Sequence, residues 1–378
     1  MLALDQTRVK RLTAIHGWSA VALGWLLYAV LLTGSVAVFD DEIGAWSSGG
    51  AAEGAALAQP LDATLRRLAA RTDPAFLEEI GISHTARGEP RFFFHEHRTD
   101  ENGQLQDYGV RFIVDPETGA VIDQAEGYAR EISRNERSDA LADFIVDLHV
   151  QLYTPEPWGL ILTGILGLAM MVAVVSGILM HRHVIRDMFV AERPGDRLVS
   201  ARDRHVLAGT WGIPFAFLLA FTGSFFSFAI SVGLPMVALV AFGGDQERII
   251  GALVATEVEP DATPSTLASI DYLAYDATQI AGGEPPDFIL IERYGRADAR
   301  VSTFHEPSGG DMVGMRLAFD GPTREFLGEM PSFGTKPSAG SAVISVMGPL
   351  HFGVAEAVPG RAIGAAHTIF DAIPPKSP

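Results

Sequence analysis

The stretch R-H-V-L-A-G-T-W-G-I-P-F-A-F-L-L-A-F-T-G-S-F-F-S-F, Arg204 to Phe228, decides the fold. His205 heads a long apolar run, and Thr222-Gly223-Ser224 stands 17 residues after it. The arrangement recurs near the N-terminus, where His16 precedes an apolar run and Thr33-Gly34-Ser35 follows at the same spacing of 17. An apolar run that carries a histidine at the same depth twice reads as a membrane segment used twice.

Composition supports this. The chain has 378 residues, a hydrophobic share of 48% and a mean hydropathy of +0.21, yet 20% of residues are charged. That mixture points to membrane spans joined to water-exposed domains. A net charge of -18 argues against nucleic acid as a partner. Cysteine is absent. Disulfides, cysteine zinc sites, iron–sulfur clusters and covalent C-x-x-C-H haem attachment are therefore excluded. A cofactor must be held by histidine, carboxylate or backbone groups.

Gly17 to Phe39 and Trp158 to Met180 are each 23 residues without a charge. At 1.5 Å per residue each gives roughly 34 Å of helix, enough for a hydrocarbon core of about 30 Å. Val206 to Phe242 is uncharged for 37 residues, more than one crossing needs. Pro214 is expected to kink this helix and Pro235 to mark its exit, with 232–242 along the interface. Ser341 to Ala355 is a fourth apolar run, interrupted by Glu356 and Arg361. Arg8, Lys10 and Arg11 resemble a signal-peptide n-region, but the apolar stretch is long and no A-x-A site follows, so the first run reads as an uncleaved span.

Charge counting orients the spans. Residues 1–15 hold three Lys/Arg against one acid, and 181–204 hold six Arg against four acids. Residues 40–157 hold 10 basic against 23 acidic residues, and 243–342 hold 7 against 16. Short Arg-rich segments stay in the cytoplasm. The expected fold class is thus an integral membrane α-helical bundle of three to four transmembrane helices, duplicated, with two small α+β extracytoplasmic domains. Its parts are a cytoplasmic N-terminus (1–15), a first span (16–39), an outer domain (40–148), a second span (149–180) and a cytoplasmic loop (181–204). A third span with an interfacial extension (205–242), a second outer domain (243–342) and a short or incomplete fourth span (343–378) follow. The expected location is a bacterial inner membrane, with both outer domains in the periplasm.

Within the first outer domain, Leu61, Leu65 and Leu68 have helical spacing. R-F-F-F-H-E-H-R and Y-G-V-R-F-I-V-D read as strands, and Asp115 to Gly119, D-P-E-T-G, as a turn. Residues 263–330 repeat this plan, with Phe304-His305-Glu306 matching Phe94-His95-Glu96. The reading is an internal duplication of span, small domain, span. It pairs His16 with His205, and His149 with His351.

A coordinating side chain at membrane depth is a functional hypothesis by default. His16 and His205 fall at the cytoplasmic edge, His149 and His351 at the outer edge. Two readings stand: polar residues among lipid headgroups, or two metal centres, one per side. A b-type haem with two histidine ligands needs facing imidazoles and a slot lined by small residues, for which Gly24, Gly34, Gly209, Gly212 and Gly223 are available. Each ligating imidazole also needs a partner for its other nitrogen. His181 and His183 are alternate cytoplasmic-side ligands. His95 and His97 share a strand face and, with Glu96 and His305, form a weaker metal or substrate candidate. His84 and His367 carry no pattern. The Thr-Gly-Ser triplets read first as close-packing sites for helices.

Taken together, H-G-W with L-L-T-G-S-V-A-V-F, D-L-H, R-H-V-L-A-G-T-W with A-F-T-G-S-F-F-S-F, and P-L-H-F-G resemble the PepSY-associated transmembrane family. The D-P-E-T-G turn is similar to the PepSY domain signature. The resemblance covers about residues 8–365. It implies an inner-membrane ferric-siderophore reductase of the iron-uptake type, with two b-type haems between four helices and His16, His149, His205 and His351 as axial ligands. Here the segment after L-H-F-G departs from the family's longer, basic fourth span, which bears on the hold of His351. The expected partners are a ferric-siderophore, membrane lipids and an external electron donor, either quinol or a cytoplasmic reductase. No G-x-G-x-x-G or G-x-x-x-x-G-K-[ST] is present, so a built-in nicotinamide or ATP site is not expected. The alternatives are a membrane-anchored PepSY binding or regulatory protein, and an iron or siderophore transporter.

Overall fold

A computed structural model describes residues 5–49, 57, 60–99, 105–134, 140–155, 157–181, 189, 193, 196–245, 248, 258–305, 313–331 and 339–352. The described helices are α1 (Gln6–Ala37), α2 (Asp40–Ser48), α3 (Asp62–Ala69), α4 (Ala129–Arg134), α5 (Ala140–Gln151), α6 (Trp158–Met180), α7 (Arg197–Phe228), α8 (Leu234–Phe242), α9 (Ile270–Ile280) and α10 (Ala339–Phe352). The strands are β1 (Glu79–His84), β2 (Pro90–Thr99), β3 (Leu105–Val114), β4 (Val121–Tyr128), β5 (Phe288–Glu292), β6 (Arg300–His305), β7 (Met315–Asp320) and β8 (Phe326–Met330). The chain forms two compact units. One comprises Met1–Ser35 and Leu148–Ala229, the other Val36–Asp147 and Ile230–Pro378.

Three described helical segments are long and apolar enough to cross a membrane: Gln6–Ala37, Trp158–Met180 and Arg197–Phe242. The first helical unit holds α1, α6 and α7. Both α1 and α7 begin before their apolar runs, α7 at an Asp196 cap whose carboxylate accepts from Leu198 N and Val199 N. His205 thus stands inside a helix, and part of the expected 181–204 loop is its first turns. α7 runs unbroken through Pro214, and a π-helical turn, Ala229–Gly233, leads into α8. The expected second span of 149–180 is shorter. α5 stops at Gln151, Leu152 and Tyr153 take positive φ of 50° and 54°, and α6 starts at Trp158. His149 therefore sits on a separate helix that leads to the span.

α6 and α7 pack through small residues. The Ser224 hydroxyl donates to the Gly164 carbonyl at 3.1 Å, and Thr163 Oγ1 lies 3.3 Å from Ser227 Oγ. A side chain at Gly167 would place its Cβ 2.2 Å from Ser224 Oγ. Close backbone approach with hydroxyl cross-bonds is how helices associate where lipid supplies no hydrophobic drive. By contrast, no described residue of α1 is buried, and Trp18, Trp25 and Tyr28 are open.

The other unit is built on one antiparallel sheet of eight strands, in the order β4-β3-β2-β1-β5-β6-β7-β8. The two small domains expected from the sequence are its two halves. Each is a helix followed by a four-strand meander, α3 with β1–β4 and α9 with β5–β8. They join where β1 pairs with β5, Glu79 opposite Glu292 and Ile80 opposite Ile291. Alternate residues of the joined strands face one core: Ile80, Phe92, Phe94, Phe112, Ile291, Val301 and Phe319, against Leu65 and Leu68 of α3 and Leu273 and Ala277 of α9.

Both meanders close on an Asp-anchored turn. In D-P-E-T-G the Asp115 carboxylate accepts from the Glu117 and Thr118 amides and the Thr118 hydroxyl, and Gly119 takes φ +65°. These bonds hold the Asp115 carboxyl below its usual range. Asp320 accepts from Thr323 in the same way.

α10, Ala339–Phe352, has 14 residues. At 1.5 Å per residue it is about 21 Å long, short of the hydrocarbon core. The remainder of the expected fourth span, with Glu356, Arg361 and His367, lies outside the described residues.

Candidate functional site

α1 carries His16 three turns in, beside α6 and α7. Its Nδ1 lies 2.9 Å from the Ala173 carbonyl oxygen and 3.2 Å from Ser176 Oγ. A carbonyl only accepts, so Nδ1 carries the proton and donates. Nε2 is left with its lone pair. The His205 ring of α7 stands with its centroid 6.0 Å from that of His16, at an interplanar angle of 69°. The structure thus brings together the pair His16 and His205 that the repeat singles out. Beside them an apolar groove of about 310 Å³ runs between α1 and α6, with Ile15, Val172 and Val175 in its walls.

His149 has the same kind of anchor. Its Nδ1 lies 2.8 Å from the Val30 carbonyl oxygen of α1. The ring rests on Gly34, where a Cβ would fall 2.5 Å from His149 Cε1 and 2.8 Å from Nδ1. The first Thr-Gly-Ser triplet therefore has a local logic. Thr33 and Ser35 turn their hydroxyls back to Ala29 and Leu31 of the same helix, each at 2.8 Å, and Gly34 gives the imidazole its seat. The second triplet is used differently, Ser224 bonding across to α6.

His351 lies on α10, in the other unit, with its ring 5.3 Å from that of Phe352. His181 caps α6, its amide bonded to the Gly177 and Ile178 carbonyls. His183 lies outside the described residues. Among the described residues no group of three or more His, Asp or Glu is arranged to hold a metal ion.

The histidines of the sheet do not form one site. Phe94 faces the core, so His95 faces the other side. His305 shares the face of Val301 and Thr303, which is the core side. The two are equivalent in sequence but opposite in facing, and Glu306 lies outside the described residues. His95 is buried between carboxylates, its Nε2 3.3 Å from Glu79 and 3.9 Å from Asp107. Burial opposes its charge, but Asp107, Glu79 and the Phe93 carbonyl outweigh burial and push it up to about 9. Burial pushes Glu79 up, and the His95 bond overcomes that and holds it below its ordinary value. His97 pairs with Asp107 at 3.3 Å. Burial pushes His305 down, and its ring is tied to Thr303 and to the Glu284 carbonyl, each at 3.0 Å. The ion-pair partner Glu79 was not singled out by any motif; β1, E-I-G-I-S-H, is a short strand with a glycine in its middle. The Ala173, Ser176 and Val30 partners have no sequence signal either, since two are backbone groups and the third is one serine in an apolar run.

Two comparisons with known proteins bear on this arrangement. A stretch of 144 residues is 30% identical to the uncharacterized protein PA4219 of Pseudomonas aeruginosa, covering 37% of this chain and 36% of that protein. The chain thus spans about a third of that relative's length. The family model for the PepSY-associated TM region matches residues 13–370, from just before His16 to beyond His351. With three membrane-length helices, a large antiparallel sheet and a match over nearly its whole length, the chain is a membrane protein and belongs to the PepSY-associated TM region family.

Proposed function

We propose that this protein is a haem-containing membrane reductase that passes electrons to a ferric-siderophore on the outer side of a bacterial inner membrane. The observation that carries the reading is the meeting of His16 and His205 from two different apolar helices, ring centroids 6.0 Å apart. The donor set fits a b-type haem. Two imidazoles from different helices stand edge to face, and His16 offers Nε2 as a lone-pair donor because Nδ1–H is engaged by the Ala173 carbonyl. An engaged Nδ1–H fixes tautomer and ring orientation in metal-ligating histidines. His149 has the same feature through the Val30 carbonyl and is the ligand proposed for a second haem. His351 is proposed as its counterpart from the sequence repeat alone.

When bound, haem supplies a one-electron carrier in a medium that water cannot enter. The chain's residues hold and orient it: the imidazoles ligate, the apolar faces of α1, α6 and α7 exclude water, and the sheet unit presents the outer face. The reaction takes one electron from an external quinol or cytoplasmic reductase and converts siderophore Fe(III) to Fe(II). Fe(II) binds hard oxygen donors more weakly, so iron is released. The same reading places the sheet unit in the periplasm and the His16 end of α1 near the cytoplasm, from the charge asymmetry of the loops. The halves of the sheet and their matched turns also support an internal duplication.

An absorption spectrum of the purified protein tests this. The expected result is a Soret band that shifts on dithionite reduction and weakens in His16→Ala and in His205→Ala. Protein purified from haem-replete cells without a Soret band, and still functional, overturns it and favours a membrane-anchored PepSY binding protein.

A further inference from the structure

We propose that Ser176 is a positioning residue for His16, sharing its Nδ1 proton and so raising the strength of Nε2 as a donor. The inference rests on the haem reading for its redox consequence, but the shared proton itself is a property of the polypeptide.

Ser176 lies in the apolar helix α6 and is only 2% exposed. A hydroxyl buried in such a span needs a partner, and an intrahelical carbonyl is the usual one. Ser176 takes that bond, donating to the Ala173 carbonyl at 3.1 Å. Its proton is thereby committed, so the oxygen turns a lone pair to His16 Nδ1 at 3.2 Å. His16 Nδ1–H also faces the Ala173 carbonyl at 2.9 Å. In an α-helix that carbonyl already accepts from the amide four residues on, Gly177. Three donors then crowd one acceptor with two lone pairs. The Ser176 oxygen relieves the crowding by sharing the imidazole proton.

Two consequences follow for His16. The opposite tautomer would set its Nδ1 lone pair against the Ala173 carbonyl, so Nδ1–H is favoured and Nε2 is the donor nitrogen, with the Ser176 oxygen as a second acceptor for that proton. Acceptance of Nδ1–H by two oxygens also leaves more electron density in the ring, which strengthens Nε2 as a ligand. A stronger donor favours oxidised over reduced iron. Ser176 thus lowers the potential of the centre that His16 would hold, and it does so without touching the metal. The ring also has room on this side: a Cβ on Gly177 would stand 3.5 Å from His16 Cε1, in ordinary contact.

The test uses the full chain in detergent with Ser176→Ala and Ser176→Thr. In the haem-free wild type, the His16 Nδ1–H proton is expected to show the low-field ¹H shift of a proton held by two acceptors, and to move upfield in Ser176→Ala while Nδ1 stays protonated. In the haem-loaded protein, redox titration of the haem that is lost in His16→Ala is expected to show a higher midpoint potential in Ser176→Ala. About a tenfold change in preference for oxidised iron corresponds to 59 mV for one electron. Ser176→Thr, which keeps the hydroxyl, is expected to titrate like wild type. Should Ser176→Ala fail to retain haem, the Thr variant decides: a wild-type potential supports the assignment and a shifted one overturns it. An unchanged Nδ1–H shift together with an unchanged or lower potential in Ser176→Ala also overturns it. A wild type that binds no haem overturns the haem reading instead, and the Nδ1–H shift still judges the shared proton.

Discussion

Asp62 and Asp271 cap each other's helices. The Asp271 carboxylate accepts from the Leu61 and Asp62 amides at 2.6 and 3.2 Å, at the start of α3. The Asp62 carboxylate accepts from the Ile270 amide at 3.1 Å, at the start of α9. The first amides of a helix have no intrahelical partner, and a carboxylate there also meets the positive end of the helix dipole. Each half of the sheet unit therefore supplies the cap of the other half. Arg66 adds a third tie, bonded to Asp62 and to the Leu267 carbonyl.

The first prediction concerns this exchange. Asp62→Ala and Asp271→Ala are each expected to destabilise the sheet unit by about 1 kcal/mol, within the usual range for loss of a helix cap. The effect should appear in the opposite half. Hydrogen exchange at the Ile270 amide should speed up in Asp62→Ala, and exchange at the Leu61 amide should speed up in Asp271→Ala. Effects confined to the mutated half would refute the reciprocal arrangement.

The second prediction concerns pH. His95 is raised in the folded protein to about 9, from an ordinary value near 6.5. Its ion pair with Glu79 stabilises the fold fully below the unfolded value and is lost as pH rises through the folded one. Stability should therefore fall between about pH 6.5 and 9, with a contribution from this group of up to about 1.4 kcal/mol per pH unit. Glu79 is shifted the other way, and its contribution is lost at acid pH, below its ordinary value near 4.5. Chemical denaturation across this range checks the claim, and His95→Gln should flatten the alkaline limb. The pair sits on β1 and β2, and β1 is also the seam strand, where Glu79 stands opposite Glu292. Like charges directly opposite on a sheet repel. The imidazolium of His95 beside Glu79 and the guanidinium of Arg293, 3.6 Å from Glu292, offset that repulsion.

The apolar runs, the Leu61, Leu65 and Leu68 helix and the D-P-E-T-G turn were legible in the sequence because each is local. A charge-free run of membrane length, a 3.6-residue period and an Asp–Gly turn all act within a few residues. The seam was not legible. β1 is six residues long with Gly81 inside it, and its partner β5 is some two hundred residues away. The matched Phe-His pairs, Phe94-His95 and Phe304-His305, misled for a related reason. Side chains on a strand alternate with period two, so one step of offset between the halves sends equivalent residues to opposite faces. At the helical site the repeat pointed to His16 and His205, but not to what orients them. Carbonyls such as those of Ala173 and Val30 belong to every residue type and leave no trace in sequence.

The last prediction separates the glycines of α1. Gly34 carries the His149 ring on its surface, and a methyl group there would overlap Cε1 at 2.5 Å. Gly24, on the same helix, has no atom within 4 Å of the corresponding position. Gly34→Ala should force His149 off its bond to the Val30 carbonyl, with an overpacking cost of about 1–3 kcal/mol. Gly24→Ala should be neutral or slightly stabilising, because alanine is the better helix former by about 1 kcal/mol. Thermal unfolding of the two variants in the same detergent gives the comparison. The His149 tautomer, read by ¹⁵N shifts, should change in Gly34→Ala and not in Gly24→Ala. Equal behaviour of the two variants would mean that the glycine of the Thr-Gly-Ser triplet serves α1 itself and not the imidazole that rests on it.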